Sequence, residues 1–193
     1  MNELLNFREI RNVEEEIIFQ SLSKLSSKIV QFLKTSQKNL YISFKQLNIK
    51  SNYPCIYLDS NQFRKKLDLI ELRNKISSIG LFFGFIKKGK FYLSLEGAEF
   101  LYHRGKFSEI KRVYVNKNGE KAILYGNNIL KNMLSKKSFS FEEKDFLLIF
   151  NENDEILAIA QAKIEKKSIE YLKPKDVIAL NLSDKGIYLR EKQ

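Results

Sequence analysis

The chain has 193 residues, 44% of them hydrophobic and 30% charged, a balance that fits a packed globular protein and argues against disorder. Its 34 Lys and Arg against 23 Asp and Glu leave a net charge of +11, which favours a polyanionic partner such as RNA, DNA or an anionic membrane face; lysine serving only to solvate the surface is the alternative. One cysteine, Cys55, excludes a disulfide framework and a cysteine zinc site, and neither a membrane-spanning apolar run nor a signal-peptide pattern is present, so a soluble intracellular protein is expected.

Val13, Ile17, Ile18, Leu22, Leu25, Ile29, Phe32 and Leu33 recur at helical spacing and predict an amphipathic helix over 13–33, capped by Asn12 with Glu14, Glu15 and Glu16 at its positive end. Leu40 to Phe44 and Cys55 to Leu58, the latter entered through Pro54, read as short strands. Asp59 or Ser60 opens a second expected helix with Phe63, Leu67, Ile70 and Ile76 inward and Arg64, Lys65, Lys66, Arg73 and Lys75 outward. The apolar run Ile79 to Ile86, the turn Lys87-Lys88-Gly89-Lys90 and the run Phe91 to Leu95 predict a β-hairpin. A short helix from about Leu95 to Tyr102 follows, with Arg104-Gly105-Lys106 as linker. The first half is therefore an α+β domain, with helices packed on an antiparallel sheet.

In the second half Arg112 to Val115 reads as a strand, Asn118-Gly119 as a turn, and Ala122 to Gly126 as the lead into a helix ending near Leu134. Phe146 to Phe150, the turn Asn151 to Glu155, and Ile156 to Lys163 make a second hairpin. Val177 to Leu180 and Gly186 to Arg190 supply two more strands, so several short strands and one helix describe a small β-barrel.

Ile123-Leu124-Tyr125-Gly126-Asn127-Asn128-Ile129-Leu130-Lys131 resembles the Leu-Tyr-Gly-Asn-His-Val-Leu-Lys segment of the Nip-seven family of large-ribosomal-subunit biogenesis proteins. Ser78 to Phe85 is similar to that family's Ser-Leu-Gly-Thr-Cys-Phe-Gly-Lys, Lys90-Phe91-Tyr92-Leu93 to its Lys-Phe-Arg-Leu, and Asp184 to Arg190 to its Asp-Ile-Gly-Glu-Tyr-Val-Arg ending. The resemblance covers most of the chain and is clearest from residue 78 onward. It implies an α+β N-terminal domain over 1–108 and a PUA RNA-binding domain over 109–193. It further implies a role in large-subunit pre-rRNA processing, no catalysis of its own, and association with ribosome-assembly proteins or the exosome. The implied location is the cytoplasm in an archaeal source and the nucleolus in a eukaryote. Two departures stand out: Asn128 replaces the family's His, and Lys144-Asp145 replaces the Gly-Asp of many PUA domains, where lysine tolerates positive φ poorly.

Charge points to where RNA would sit. Residues 1–108 hold 18 basic and 10 acidic side chains, and residues 109–193 hold 16 and 13. In the second half Lys163, Lys166, Lys167, Lys173 and Lys175 cluster, opposed by Glu165 and Glu170; a solvated loop is the plainer reading of such a run. In the related proteins basic residues in this region are implicated in RNA binding. The Tyr125-Gly126-Asn127-Asn128 turn is a second candidate: a helix N-terminus after Gly126 would offer N–H groups to a phosphate, and Asn127 and Asn128 would reach a base edge. Its structural alternative has Gly126 at an unusual φ, an asparagine capping the helix and Tyr125 in the core. Arg64, Lys65 and Lys66, with Lys87, Lys88 and Lys90, form a possible secondary basic patch. Phe82, Phe83, Phe85, Phe91 and Tyr92 suggest base-stacking platforms, but core packing is the stronger reading for most of them.

An RNA-binding assembly factor leads, and a protein-facing adapter or regulator of an RNA-processing complex such as the exosome is its rival. An RNA-modifying enzyme finds no support: Cys55 and His103 read as a buried small hydrophobe and a surface imidazole, and Asp59 and Asp68 lack a catalytic context. No cofactor, metal, membrane or small-molecule substrate is expected.

Overall fold

The pattern expected to run as one helix over 13–33 folds as two, α1 (Asn12–Ser23) and α2 (Ser27–Thr35), in a computed structural model that describes residues 7–36, 38–44, 53–60, 79–107, 111–135 and 140–190. The N–H groups of Leu25 and Ser26 both donate to the Leu22 carbonyl at 3.0 Å, which closes α1. The extended Ser26 then starts α2, its hydroxyl accepting from the Lys28 N–H at 3.2 Å. Serine competes with the helix for its own backbone, and here it wins. Arg11 rather than Asn12 holds the N-cap of α1, and Val13 is 67% exposed instead of inward.

The Glu14 carboxylate accepts from the Arg11 N–H at 2.8 Å and from the Arg8 guanidinium at 2.8 and 2.5 Å. The Arg8 hydrogen bond, followed by smaller contributions, holds the Glu14 carboxyl below its ordinary value. A lowered folded pKa stabilises above the unfolded value and is lost as pH falls through the folded one. Glu14→Gln is therefore expected to cost about 0.5 kcal/mol at pH 7 and progressively less as pH drops below ~4.3. Urea unfolding of the two proteins at pH 7 and pH 3 checks this; an unchanged difference would refute it.

The chain divides into two units, Met1–Ser108 and Glu109–Gln193. In the first, β1 (Arg8–Glu9), β2 (Lys38–Ser43), β3 (Cys55–Ser60), β4 (Leu81–Lys87) and β5 (Lys90–Leu93) form one antiparallel sheet in sequence order. β3 runs on through Asp59 and Ser60, which pair with Asn39 and Lys38. The expected second helix, including Arg64, Lys65 and Lys66, lies outside the described residues. The β4–β5 hairpin turns on Lys88 (φ 49°) and Gly89 (φ 68°), the two positive φ values that a type I′ turn requires. α3 (Leu95–His103) is capped by Ser94, whose hydroxyl accepts from the Gly97 N–H at 2.9 Å and donates to the Phe82 carbonyl at 2.8 Å. Gly97 lets α3 lie on β4, because a β-carbon there would meet the Phe83 carbonyl oxygen at 2.7 Å.

The second unit comprises β6 (Lys111–Tyr114), α4 (Lys117–Leu124), β7 (Ile129–Leu130), β8 (Phe146–Phe150), β9 (Ile156–Ala162), β10 (Val177–Asp184) and α5 (Ile187–Arg190). Short 3-10 turns span Lys131–Met133 and Lys166–Tyr171. The sheet order is β6-β8-β9-β10-β7, with β6 and β8 parallel and the rest antiparallel. Its two ends meet: Val115 bridges Leu134, the Asn116 N–H donates to the Met133 carbonyl at 2.9 Å, and the Ser135 N–H to the Tyr114 carbonyl at 2.8 Å. These bonds curl the sheet into the expected small barrel around Val113, Ile123, Phe141, Ile149, Ala160 and Ile178.

Two local expectations are corrected here. Asn118-Gly119 is no turn but the first turn of α4, where Asn116 caps the helix by accepting from the Gly119 N–H at 2.9 Å. Gly119 is small because a β-carbon would lie 2.8 Å from the Met133 β-carbon. Gly186 to Arg190 is no strand: the Asp184 carboxylate accepts from the Gly186 N–H at 2.9 Å, and the Arg190 N–H then closes on the Gly186 carbonyl at 3.1 Å, starting α5.

Lys144 takes φ 69° at the third position of a turn closed by the Asp145 N–H on the Glu142 carbonyl at 3.2 Å. This is the strain foreseen from its replacement of glycine, worth ~1 kcal/mol. Lys144→Gly is expected to stabilise the second unit by about 0.5 kcal/mol after the added entropy of the unfolded glycine, read as a higher urea midpoint. A lower midpoint would show that the turn tolerates lysine without strain.

Candidate nucleic-acid interface

Lys163, Lys166, Lys167, Lys173 and Lys175 all lie on the connection from β9 to β10, and the structure makes that connection a built segment rather than a loose loop. It is tied at intervals through its backbone. The Lys163 N–H donates to the Ile178 carbonyl at 2.9 Å and the Lys166 N–H to the Phe141 carbonyl at 2.9 Å. The Lys173 N–H donates to the Asp176 carboxylate at 2.8 Å, while the Lys131 and Asn132 N–H groups reach the Asp176 and Pro174 carbonyls at 3.0 and 2.9 Å. Ile169 is buried in the barrel core and Leu172 packs against it. The lysine side chains point away from that anchor: Lys163, Lys167, Lys173 and Lys175 are exposed and Lys166 is half-buried.

Two basic residues outside the expected cluster belong to this surface. The Lys131 ammonium donates to the carbonyls of Glu170 and Leu172 at 3.0 and 2.6 Å, so its charge holds the 3-10 turn in shape. The Lys144 N–H donates to the Ala162 carbonyl at 2.9 Å, which puts its exposed side chain on the turn beside Lys163. Neither was legible from spacing, because both come from elsewhere in the chain.

The turn at Tyr125 to Asn128 is not the strand-to-helix turn that the anion reading needs. α4 ends at Leu124 and the turn follows it, so the turn lies at the carbonyl, negative end of the helix. Gly126 does take a positive φ, 85°, as the structural alternative holds, but Tyr125 is 77% exposed rather than core, and Asn116 rather than Asn127 or Asn128 caps the helix. Arg190 supplies the complementary charge by donating to the Leu124 carbonyl and, at 2.9 and 3.1 Å, to both oxygens of Asp184. The Asn128 side-chain oxygen accepts from the Asn181 N–H at 3.0 Å, and the Asn127 carbonyl accepts from the Asn181 amide at 3.2 Å. Gly126, Asn127 and Asn128 thus belong to a helix-end network that supports the barrel, and the turn offers no helix N-terminus to a phosphate.

In the first unit the Lys87 ammonium lies 4.7 Å over the Tyr53 ring, while Lys88 and Lys90 are exposed at the hairpin turn. Phe83 and Phe91 are core, stacked at 5.8 Å. Phe85 and Tyr92 are neither core nor open platforms: Phe85 stacks on Tyr53 at 6.0 Å and on Tyr92 at 5.3 Å, a surface ladder that uses its own faces. Cys55 is buried among Phe7, Tyr41, Tyr57 and Ile79, and burial pushes its thiol up, away from the thiolate that a nucleophile needs. His103 is exposed beside Glu99 at 3.9 Å.

Residues 111–193 match the family model of the UPF0113 PUA domain. The chain is 25% identical over 185 residues to the 60S ribosome subunit biogenesis protein NIP7 of Saccharomyces cerevisiae, covering 95% of this chain and 96% of that protein. It is 31% identical over 104 residues to a UPF0113 protein of Archaeoglobus fulgidus, 54% of this chain and 57% of that one. Among solved structures it resembles a crystallised PUA domain protein from Aeropyrum pernix with a TM-score of 0.64 at 16% identity, over 96% of this chain and 89% of that chain, a likeness of fold.

Proposed function

We propose that this chain, similar to the 60S ribosome biogenesis proteins NIP7 and matching a PUA domain model over residues 111–193, is a non-catalytic RNA-binding factor in large-ribosomal-subunit assembly. Pre-rRNA is its ligand. One observation carries the reading: the lysine-bearing connection from β9 to β10 is held in place by backbone bonds and a core anchor, so its charges are presented on a fixed surface. Lysines on a prearranged surface lose less entropy on meeting phosphates than lysines on a loose loop. Burial holds the Cys55 thiol away from the thiolate form, which removes this cysteine as a candidate nucleophile. Large-subunit assembly would put the protein in the cytoplasm of an archaeon or the nucleolus of a eukaryote.

The test is fluorescence anisotropy of a labelled single-stranded oligoribonucleotide against the intact protein between about 50 and 200 mM KCl. Each lysine that neutralises a phosphate contributes about 0.7 to the slope of log affinity against log salt. Four such contacts predict a slope near −3 and a loss of roughly fiftyfold across that range. Binding indifferent to salt, or none at 50 mM, would reject the reading and favour a protein-facing adapter of an RNA-processing complex such as the exosome.

A further inference from the structure

Tyr171 ends the 3-10 turn in the middle of the lysine segment, and it is 89% exposed. An aromatic ring left in water forgoes the burial that makes such residues valuable to a core. This ring is also not left out for want of order around it. Ile169, two residues before it, is buried in the barrel, and Leu172, directly after it, packs on the same core. The Leu172 N–H closes on the Ile169 carbonyl at 3.2 Å. The Lys131 ammonium then clasps the carbonyls on either side of the tyrosine, those of Glu170 and Leu172. The backbone is thus pinned before and after Tyr171 while its side chain projects outward.

The surroundings favour a base as its occupant. Lys166 and Lys167 precede the ring and Lys173 and Lys175 follow it, so charge for a phosphodiester backbone lies on both sides in sequence. The other exposed tyrosines of the described residues differ. Tyr92 already stacks on Phe85 at 5.3 Å, and Tyr125 stands at the carbonyl end of α4. We propose that Tyr171 is the stacking platform of the lysine surface, receiving one unpaired base of a single-stranded RNA whose phosphates the flanking lysines hold. Lys131 acts as a positioning residue that fixes the turn. The inference rests on the RNA-binding reading above and adds that the preferred ligand has a splayed, unpaired base. Stacking tolerates any base, so affinity would depend on strandedness more than on sequence.

The experiment compares the intact protein with Tyr171→Ala and Tyr171→Phe on the same labelled oligoribonucleotide across the salt range, and on a fully duplexed version of it. Tyr171→Ala is expected to weaken single-strand binding about tenfold or more, with the salt slope unchanged because no charge is removed. Tyr171→Phe should bind within about twofold of the natural protein, and duplex binding should respond little to either change. The chain contains no tryptophan, so Tyr171→Trp adds a single indole, excited apart from the tyrosines at longer wavelength, whose emission should be quenched by the single strand and not by the duplex. If the natural protein binds RNA and Tyr171→Ala binds equally well, the stacking proposal fails while RNA binding stands. A loss with a shallower slope, or Tyr171→Phe failing as alanine does, would mean that the residue only shapes the lysine surface and overturns the proposal. No RNA binding by the natural protein removes both readings together.

Discussion

Changing Lys163, Lys166, Lys167 and Lys173 together to glutamate is expected to lower affinity for single-stranded RNA by at least about a hundredfold at 50 mM salt and to flatten the salt slope by about 3. The bonds that shape this segment come from the lysines' backbones, Lys163 to Ile178 and Lys166 to Phe141 among them, so the barrel should survive the substitutions. The loss would come from two sources: counterions are no longer released at those four positions, and four carboxylates now face the phosphates. Calorimetry of the variant should show a barrel transition within a few degrees of the natural one. Full affinity in a folded variant would move the contact to other basic residues, with Lys88 and Lys90 of the first unit next to be changed.

Asp184→Ala is expected to destabilise the second unit by about 3 kcal/mol, a fall of roughly 10–20 °C in its unfolding temperature. The Asp184 side chain is buried and its two oxygens accept from four groups: the Gly186 N–H at 2.9 Å, the Asn181 amide at 3.0 Å, and both terminal nitrogens of Arg190 at 2.9 and 3.1 Å. The hydrogen bond to Asp184 is the first cause of the raised pKa of Arg190, the mark of a guanidinium favoured in its charged form. Removing the carboxylate strands that charge against the end of α4, though part of it remains in reach of water, which is why the figure stands at the low end for a broken ion pair. The same joint explains Gly186: a β-carbon there would run into the Leu124 carbonyl. Differential scanning calorimetry reads the result, and a shift of less than about 2 °C would sink the view that this network joins the chain's end to the barrel.

The resemblance places Ile123 to Lys131 and Asp184 to Arg190 in its two clearest C-terminal motifs, and the structure shows them touching: Arg190 donates to the Leu124 carbonyl and Asn128 accepts from Asn181. These motifs therefore form a joint of the fold. Periodicity could not show that, because the contacts span more than 50 residues of sequence.

Strands with a strong apolar pattern, Phe146 to Phe150 and Ile156 to Ala162, were legible to within one residue, since a buried strand is announced by its own side chains. The hairpin turn at Lys88-Gly89 was legible for the same reason of local chemistry. Helix ends were not. Whether Ser26 breaks a helix, whether Gly119 lies within one, and whether Gly186 starts one depend on which of several short-range hydrogen bonds forms, a choice that apolar spacing does not register. Charge and composition favour a polyanionic partner without any structure, because counterion release depends on how many charges are present. Which charges stand together is a different matter. Lys131 reaches the carbonyls of Glu170 and Leu172, and Tyr171 remains in solvent, only because the barrel closes and carries segments far apart in sequence to the same surface.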